Sequence, residues 1–206
     1  MRGSRLGRLR LLAAVTFVLI LGALPAPSAE AQPANETADA MNARLAGATV
    51  HRVGPSYLYP KHATTPGFVA SNVTQANIQQ TICTSGFTDT VRPPSSFTGR
   101  LKRQQLAAAR ATDRTPAHYE EDHHIPLELG GHPRDPRNLW PERWGTPSQP
   151  LTHLGPFPAH LVGAKTKDRV ENALHKAVCD GTLTLREAQF IIATDWFRYY
   201  RETVLK

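Results

Sequence analysis

Between Tyr119 and Trp140 the chain reads YEEDHHIPLELGGHPRDPRNLW, which gathers carboxylates, imidazoles and an amide into one short stretch. Asp122 beside His123 can hold a divalent cation and take a proton from water, the two demands of metal-assisted hydrolysis. His124 follows directly, so either imidazole could be the base. The elements that must position them are read from spacing. Ile125, Leu127 and Leu129 alternate with Pro126 and Glu128, the period of two of a half-buried strand, and Gly130-Gly131 then offers a turn where positive φ costs nothing. A second strand is expected from about Asn138, which sets Asp122 and His123 just before the first strand of a hairpin.

Asp-His, a strand ending in Gly-Gly, a short loop and then Asn-Leu resembles the first two-thirds of the HNH (ββα-metal) endonuclease motif. The chain is similar to exported bacterial proteins of that type from TICTSGFTDTVRPPSSFTGRLKRQQ (Thr81 to Gln105), through the hairpin, to KDRVENALHKAVCDGTLTLREAQFIIATDW (Lys167 to Trp196). The resemblance implies that His123 is the general base, that Asp122 is a metal ligand, and that Asn138 holds His123 across the hairpin by hydrogen bonding. His124 then falls at a variable position. In some HNH enzymes a His-His pair puts the first histidine on the metal, which would leave His124 as the base. The resemblance further implies that the helix after the hairpin completes the site through His175 or Asn172.

The leader sets the context. Met1 to about Ala31 carries four arginines in its first ten residues, then the apolar run LLAAVTFVLILGALPA and Ala29-Glu30-Ala31, the pattern of a secretory signal peptide with its cleavage site. The apolar run is shorter than the roughly 20 residues a spanning helix needs, so no stable membrane association is expected once the leader is cut. Residues 1–31 hold four basic residues and one acid, so the rest carries 20 Lys and Arg against 16 Asp and Glu, net +4 rather than +7. About 175 residues suffice for one domain with a real core.

An export route meets an oxidising compartment, and the two cysteines, Cys83 and Cys179, are expected to form one disulfide. A two-cysteine zinc site is the rival reading. Between Arg92 and Arg114 six basic residues face one acid, Asp113, for a local charge of +5. Such a run attracts a polyanion, and it is equally the charged face of a helix over Lys102 to Ala111. Arg100, Lys102 and Arg103 are the expected phosphate contacts, with Lys167 at the start of a later helix.

Residues 32–71, rich in Ala, Pro, Asn and Thr, read as an irregular arm with a short helix around Ala38 to Leu45, and residues 72–206 as the HNH endonuclease-like domain. Gly145 to Gly163 has the proline and glycine content of a loop inserted between hairpin and helix. From Ala164 to Cys179, Val170, Ala173, Leu174 and Ala177 form an apolar arc, while Asp168, Asn172 and His175 share a polar stripe. Asp180-Gly181 ends that helix. Thr184 and Glu187 then form a capping box before the apolar stripe Leu185, Ala188, Ile192, Trp196 and Tyr199.

The expected fold class is α+β, a small ββα-metal hairpin-helix core with additional helices and one disulfide. The expected function is that of a secreted, metal-dependent endonuclease cutting nucleic acid, DNA before RNA, outside the cytoplasm. Magnesium suits hard oxygen ligands, and a histidine ligand would admit zinc, manganese or nickel. Two other classes fit the same residues: an exported nucleic-acid-binding protein without turnover, and a structural module whose His/Asp cluster binds zinc.

Overall fold

The computed structural model describes residues 35–54, 56–109, 111–144 and 162–206. The expected leader, Arg110 and all but the last two residues of the Gly145–Gly163 insert lie outside them. Among the described residues there are five α-helices and one two-stranded antiparallel sheet, an α+β arrangement stapled by one disulfide. No described helix is long and apolar enough to cross a membrane.

The core is built by two helices whose apolar stripes meet. Helix α4 (Ala164–Cys179) buries Val170, Leu174 and Val178, and α5 (Leu185–Tyr199) buries Leu185, Ala188, Ile192 and Trp196. Thr184 starts α5 as expected: its hydroxyl accepts from the Glu187 N–H, and Glu187 accepts from the Thr184 N–H at 2.7 Å. Burying such a set of side chains is worth about 1.5–3 kcal/mol for each large one, which is why this helix pair anchors the domain.

The stretch read as an arm belongs to the same core. Helix α1 (Ala38–Gly47) is capped by Thr37, and its Met41 and Leu45 are fully buried with Leu58, Ile192 and Trp196. The Trp196 indole N–H donates to the Leu58 carbonyl at 3.0 Å, tying that stretch to α5. The expected division at residues 71 and 72 therefore separates no cores. A five-residue helix, α2 (Phe87–Val91), precedes Pro93-Pro94, which lead in extended conformation into α3 (Ser95–Ala108).

Strand β1 is Tyr119–His123 and β2 is Leu139–Arg143, in the register Tyr119↔Arg143 to His123↔Leu139. The second strand lies where it was expected. The first does not: Asp122 and His123 are its last two residues, and Leu127–Leu129 form a 3-10 turn. Ile125, Leu127 and Leu129 are buried as the alternation requires, yet among the described residues no strand pairs with them. The Asn138 side chain stands in for one. Its amide donates to the Ile125 carbonyl and accepts from the Ile125 N–H, both at 2.9 Å. It also donates to the His132 carbonyl at 3.1 Å and accepts from the Phe68 N–H at 3.2 Å. Gly130 takes φ +71 in the turn, and a Cβ on Gly131 would stand 1.8 Å from the Ile125 carbonyl oxygen, so the loop packs too tightly there for any side chain.

Cys83 and Cys179 form the expected disulfide, with Cα atoms 5.7 Å apart across a sequence separation of 96. In the chain-entropy account, closing a loop of that length removes denatured-state freedom worth on the order of 4 kcal/mol. Reduction should accordingly move the urea midpoint down by an amount equivalent to about 4 kcal/mol, read from paired denaturation curves with and without reductant. Superimposable curves would show that the bridge contributes nothing to stability.

Candidate active site

The alternation of β1 distributes YEEDH over two faces. Tyr119, Glu121 and His123 share one, and Glu120 and Asp122 the other. Two neighbouring helices fasten to this short sheet. From α3, Lys102 Nζ donates to the Tyr119 carbonyl at 2.7 Å and Gln105 Nε2 to the Leu139 carbonyl at 2.8 Å. From α4, Lys167 Nζ donates to the His123 carbonyl at 2.9 Å and to Glu171, and pairs with Asp122 Oδ2 at 2.7 Å.

Lys167 is completely buried. It is therefore not the exposed phosphate contact expected from its place at a helix start. Burial pulls its pKa down, but Asp122, then Glu171 and Glu142, more than reverse this, so its pKa is raised and the ammonium stays charged. Glu142 from β2, fully buried, completes the cluster; burial first and Asp122 second push its pKa well up.

Beyond Lys167, a cleft of about 120 Å³ opens between β1, the loop that leads from it toward β2, α2 and α4. Glu120, Asp122, Glu128, Asp168 and Glu171 line it, with His123 and Arg92. The carboxylates crowd one another. Burial and then Asp122 raise Glu120 to about 7, and burial, in spite of Lys167, raises Glu171 to about 8. Glu128 and Asp168 are also raised, chiefly by burial.

The two adjacent histidines have different environments. His124 is wholly buried, its Nε2 donating to the Ala193 carbonyl at 3.0 Å, and burial lowers its pKa far enough to keep it neutral. It faces α5. His123 lines the cleft, with Nε2 3.0 Å from the Pro133 carbonyl. A carbonyl only accepts, so that nitrogen carries the proton and Nδ1 is left as the basic atom. No hydrogen bond to Nδ1 is found among the described residues. Burial, ahead of the opposing Pro133 carbonyl, lowers the His123 pKa, so the ring is neutral and able to accept a proton near pH 7.

Of the expected site residues, the fold brings Asp122 and His123 together and leaves three elsewhere. Asn138 makes no hydrogen bond to the His123 ring; its side chain braces the loop through Ile125, and its backbone carbonyl accepts from the N–H of His124, the residue after His123, at 2.8 Å. Asn172 is exposed and donates to the Asp168 carbonyl of its own helix at 2.7 Å. His175 stands one turn further on, its Nε2 2.8 Å from the Ile82 carbonyl and 3.4 Å from Cys179 Sγ. What α4 offers the cleft is Asp168 and Glu171. A signal for the second existed: Lys167 and Glu171 lie on the seam that continues through buried Leu174 and Val178, so opposite charges there had to meet each other or the hairpin. Arg92, at the front of the basic run, is the cation that lines the cleft, while Arg100 and Arg103 do not.

The donor chemistry of the cleft fits a hard divalent cation. Magnesium is commonly held by one or two carboxylates with the remaining positions filled by water, which asks for less preassembly than zinc. Among the described residues, the one trio of His, Cys, Asp or Glu whose ligating atoms all lie within 4.8 Å of one another is Cys83, His175 and Cys179, and its two sulfurs are bonded to each other. No protein-family model, curated protein or solved structure matches the chain.

The raised carboxylates make stability depend on pH with a definite sign. In the unfolded chain Glu120, Glu121 and Glu171 ionise in the ordinary range, whereas in the fold they hold protons to about 7, 8 and 8. Their contribution is full at low pH and is lost as pH rises through those values. The buried histidines act oppositely, but only below about pH 6.5. Stability without added metal should therefore fall from pH 6.5 to pH 8.5, and millimolar magnesium should flatten that fall if the cleft binds it. A thermal melt series over this range, with and without magnesium, reads both effects; a rising trend would contradict the carboxylate assignment.

Proposed function

We propose that this protein hydrolyses phosphodiester bonds in nucleic acid, DNA before RNA, with His123 as general base and a divalent cation held at the acidic cleft. The observation that carries the reading is the state of His123: a neutral imidazole with Nε2 committed to the Pro133 carbonyl and Nδ1 unengaged, at the edge of a cleft rich in oxygen donors. Nδ1 takes a proton from a water whose oxygen bonds to phosphorus as the P–O bond to the leaving nucleotide breaks. Asp122, with Asp168 from α4, would hold the cation, whose chemistry is to neutralise charge gathering on the phosphate. The backbone N–H of Arg92 donates to the Thr88 carbonyl, while its guanidinium makes no hydrogen bond among the described residues and would pair with a non-bridging phosphate oxygen. The Lys167 network keeps the Asp122 and His123 backbone in place, the rigidity that such positioning requires.

The Cys83–Cys179 bridge supports an oxidising place of work, in keeping with a secretory leader. The same residues would serve a nucleic-acid-binding protein without turnover, and an activity measurement separates the two. Purified protein should nick plasmid DNA in magnesium and stop when a chelator is added. His123→Ala should lower the rate by roughly 10² to 10⁴ while DNA binding persists. Asp122→Asn should lose activity that partly returns at higher magnesium, whereas His124→Ala should cost stability before chemistry. Near-normal cleavage by His123→Ala would remove this imidazole from the mechanism.

A further inference from the structure

A second cleft, of about 380 Å³, runs from His123 along β1 toward the far end of the hairpin, with the start of α3 as its other wall. Arg92, Ser95, Lys102, Glu121, His123 and Trp144 are among the residues that line it. Two of them lack the partners their chemistry calls for. Glu121 is only 9% exposed, yet neither carboxylate oxygen takes a hydrogen bond among the described residues. Leaving such a group unpaired is unfavourable, and a donor on a bound molecule would relieve that cost. Trp144 is 39% exposed, one of two large apolar side chains so placed among the described residues, and its backbone N–H is anchored to the His118 carbonyl at 3.2 Å.

The opposite wall is made for anions. Helix α3, of 14 residues, begins after Pro94 without a side-chain cap; the Phe97 and Thr98 N–H groups bond to the Pro94 carbonyl, those of Ser95 and Ser96 make no hydrogen bond among the described residues, and Arg92 stands just before them. At about 3.3 Å per residue, Glu121 lies roughly 7 Å from His123 along the strand, and Trp144, level with His118, roughly 17 Å. A backbone phosphate, a base edge and a base face thus have separate partners along one groove, beside the imidazole assigned to chemistry.

Resting on the nuclease reading, we propose that this groove binds an unpaired nucleobase carrying an exocyclic amino group, with Trp144 stacked on its face, Glu121 accepting from the amino group, and Arg92 with the α3 N-terminus on the adjoining phosphate. Stacking on an aromatic side chain is tolerant of sequence; acceptance from an amino group is not, because thymine and uracil have none. In a duplex the faces and pairing edge of a base are already engaged, so the preferred substrate is a single strand or an unpaired junction.

Binding of fluorescently labelled oligo-dC, oligo-dT and a duplex of equal length, measured by anisotropy in chelator so that no cleavage intervenes, tests this. The wild-type protein should bind oligo-dC at least about five-fold more tightly than oligo-dT, with the duplex weaker than oligo-dC. Glu121→Ala should bring oligo-dC to the oligo-dT level, Glu121→Gln, which keeps an acceptor, should preserve the preference, and Trp144→Ala should weaken both strands alike by about five-fold or more. Circular dichroism of each variant confirms that it is folded. Equal affinity of the wild-type protein for the two strands, or a preference that survives Glu121→Ala, overturns the proposal. Plasmid nicking by the same preparation tells the two readings apart: nicking with no strand preference removes the base site alone, and neither nicking nor binding of any nucleic acid removes both.

Discussion

A single buried ammonium holds the two halves of this site together. Lys167 leaves α4 and ends among Asp122, Glu171 and the His123 carbonyl, with Glu142 close by and no access to water. Desolvating any one of these groups alone would cost several kcal/mol, and together they offset one another only in this geometry. The hairpin contributes just five residues to each strand, too few to define an orientation on its own. Its placement against α4 is set by charge, and its placement against α3 by hydrogen bonds from Lys102 and Gln105 to strand carbonyls. Everything proposed for His123 follows from a backbone fixed at both faces.

The cluster also explains why the cleft is acidic. Lys167 carries one positive charge against three carboxylates, and further carboxylates line the opening beyond it. The structure therefore contains an electrostatic deficit that protons can fill at moderate pH and a divalent cation can fill at higher pH. This supply of hard oxygen donors, rather than any preformed ligand trio, supports magnesium in the proposed mechanism.

Much of the architecture was legible from side-chain spacing, because burial is periodic. The α5 stripe through Leu185, Ala188, Ile192 and Trp196, the capping box at Thr184, the positive φ of Gly130 and the pairing of Cys83 with Cys179 all follow from local chemistry or from compartment. The strand expected over Ile125–Leu129 shows where spacing alone falls short. Alternating burial arises wherever an extended segment crosses a core, and only a partner makes it a strand; here the partner is one asparagine side chain, which no periodicity reveals. Lys167 shows another limit. A lysine in a helix's first turn reads as a solvated cation until the opposing surface is known, and the opposing surface here is Asp122, 45 positions earlier in the chain. The polar stripe of α4 was recognised, but the helix is rotated so that Asp168 and Glu171, not Asn172 and His175, line the cleft.

The disulfide makes residues 83–179 a covalent ring, and that ring contains α2, α3, both strands and the whole run of α4. A single peptide bond cut anywhere inside it, including between β2 and α4, yields two fragments that remain one molecule. The hairpin and the helix that holds it would stay tethered through sulfur and through the Lys167 contacts. Under proteolysis, that topology turns one nick from a loss of half the hairpin–helix pair into a change of connectivity.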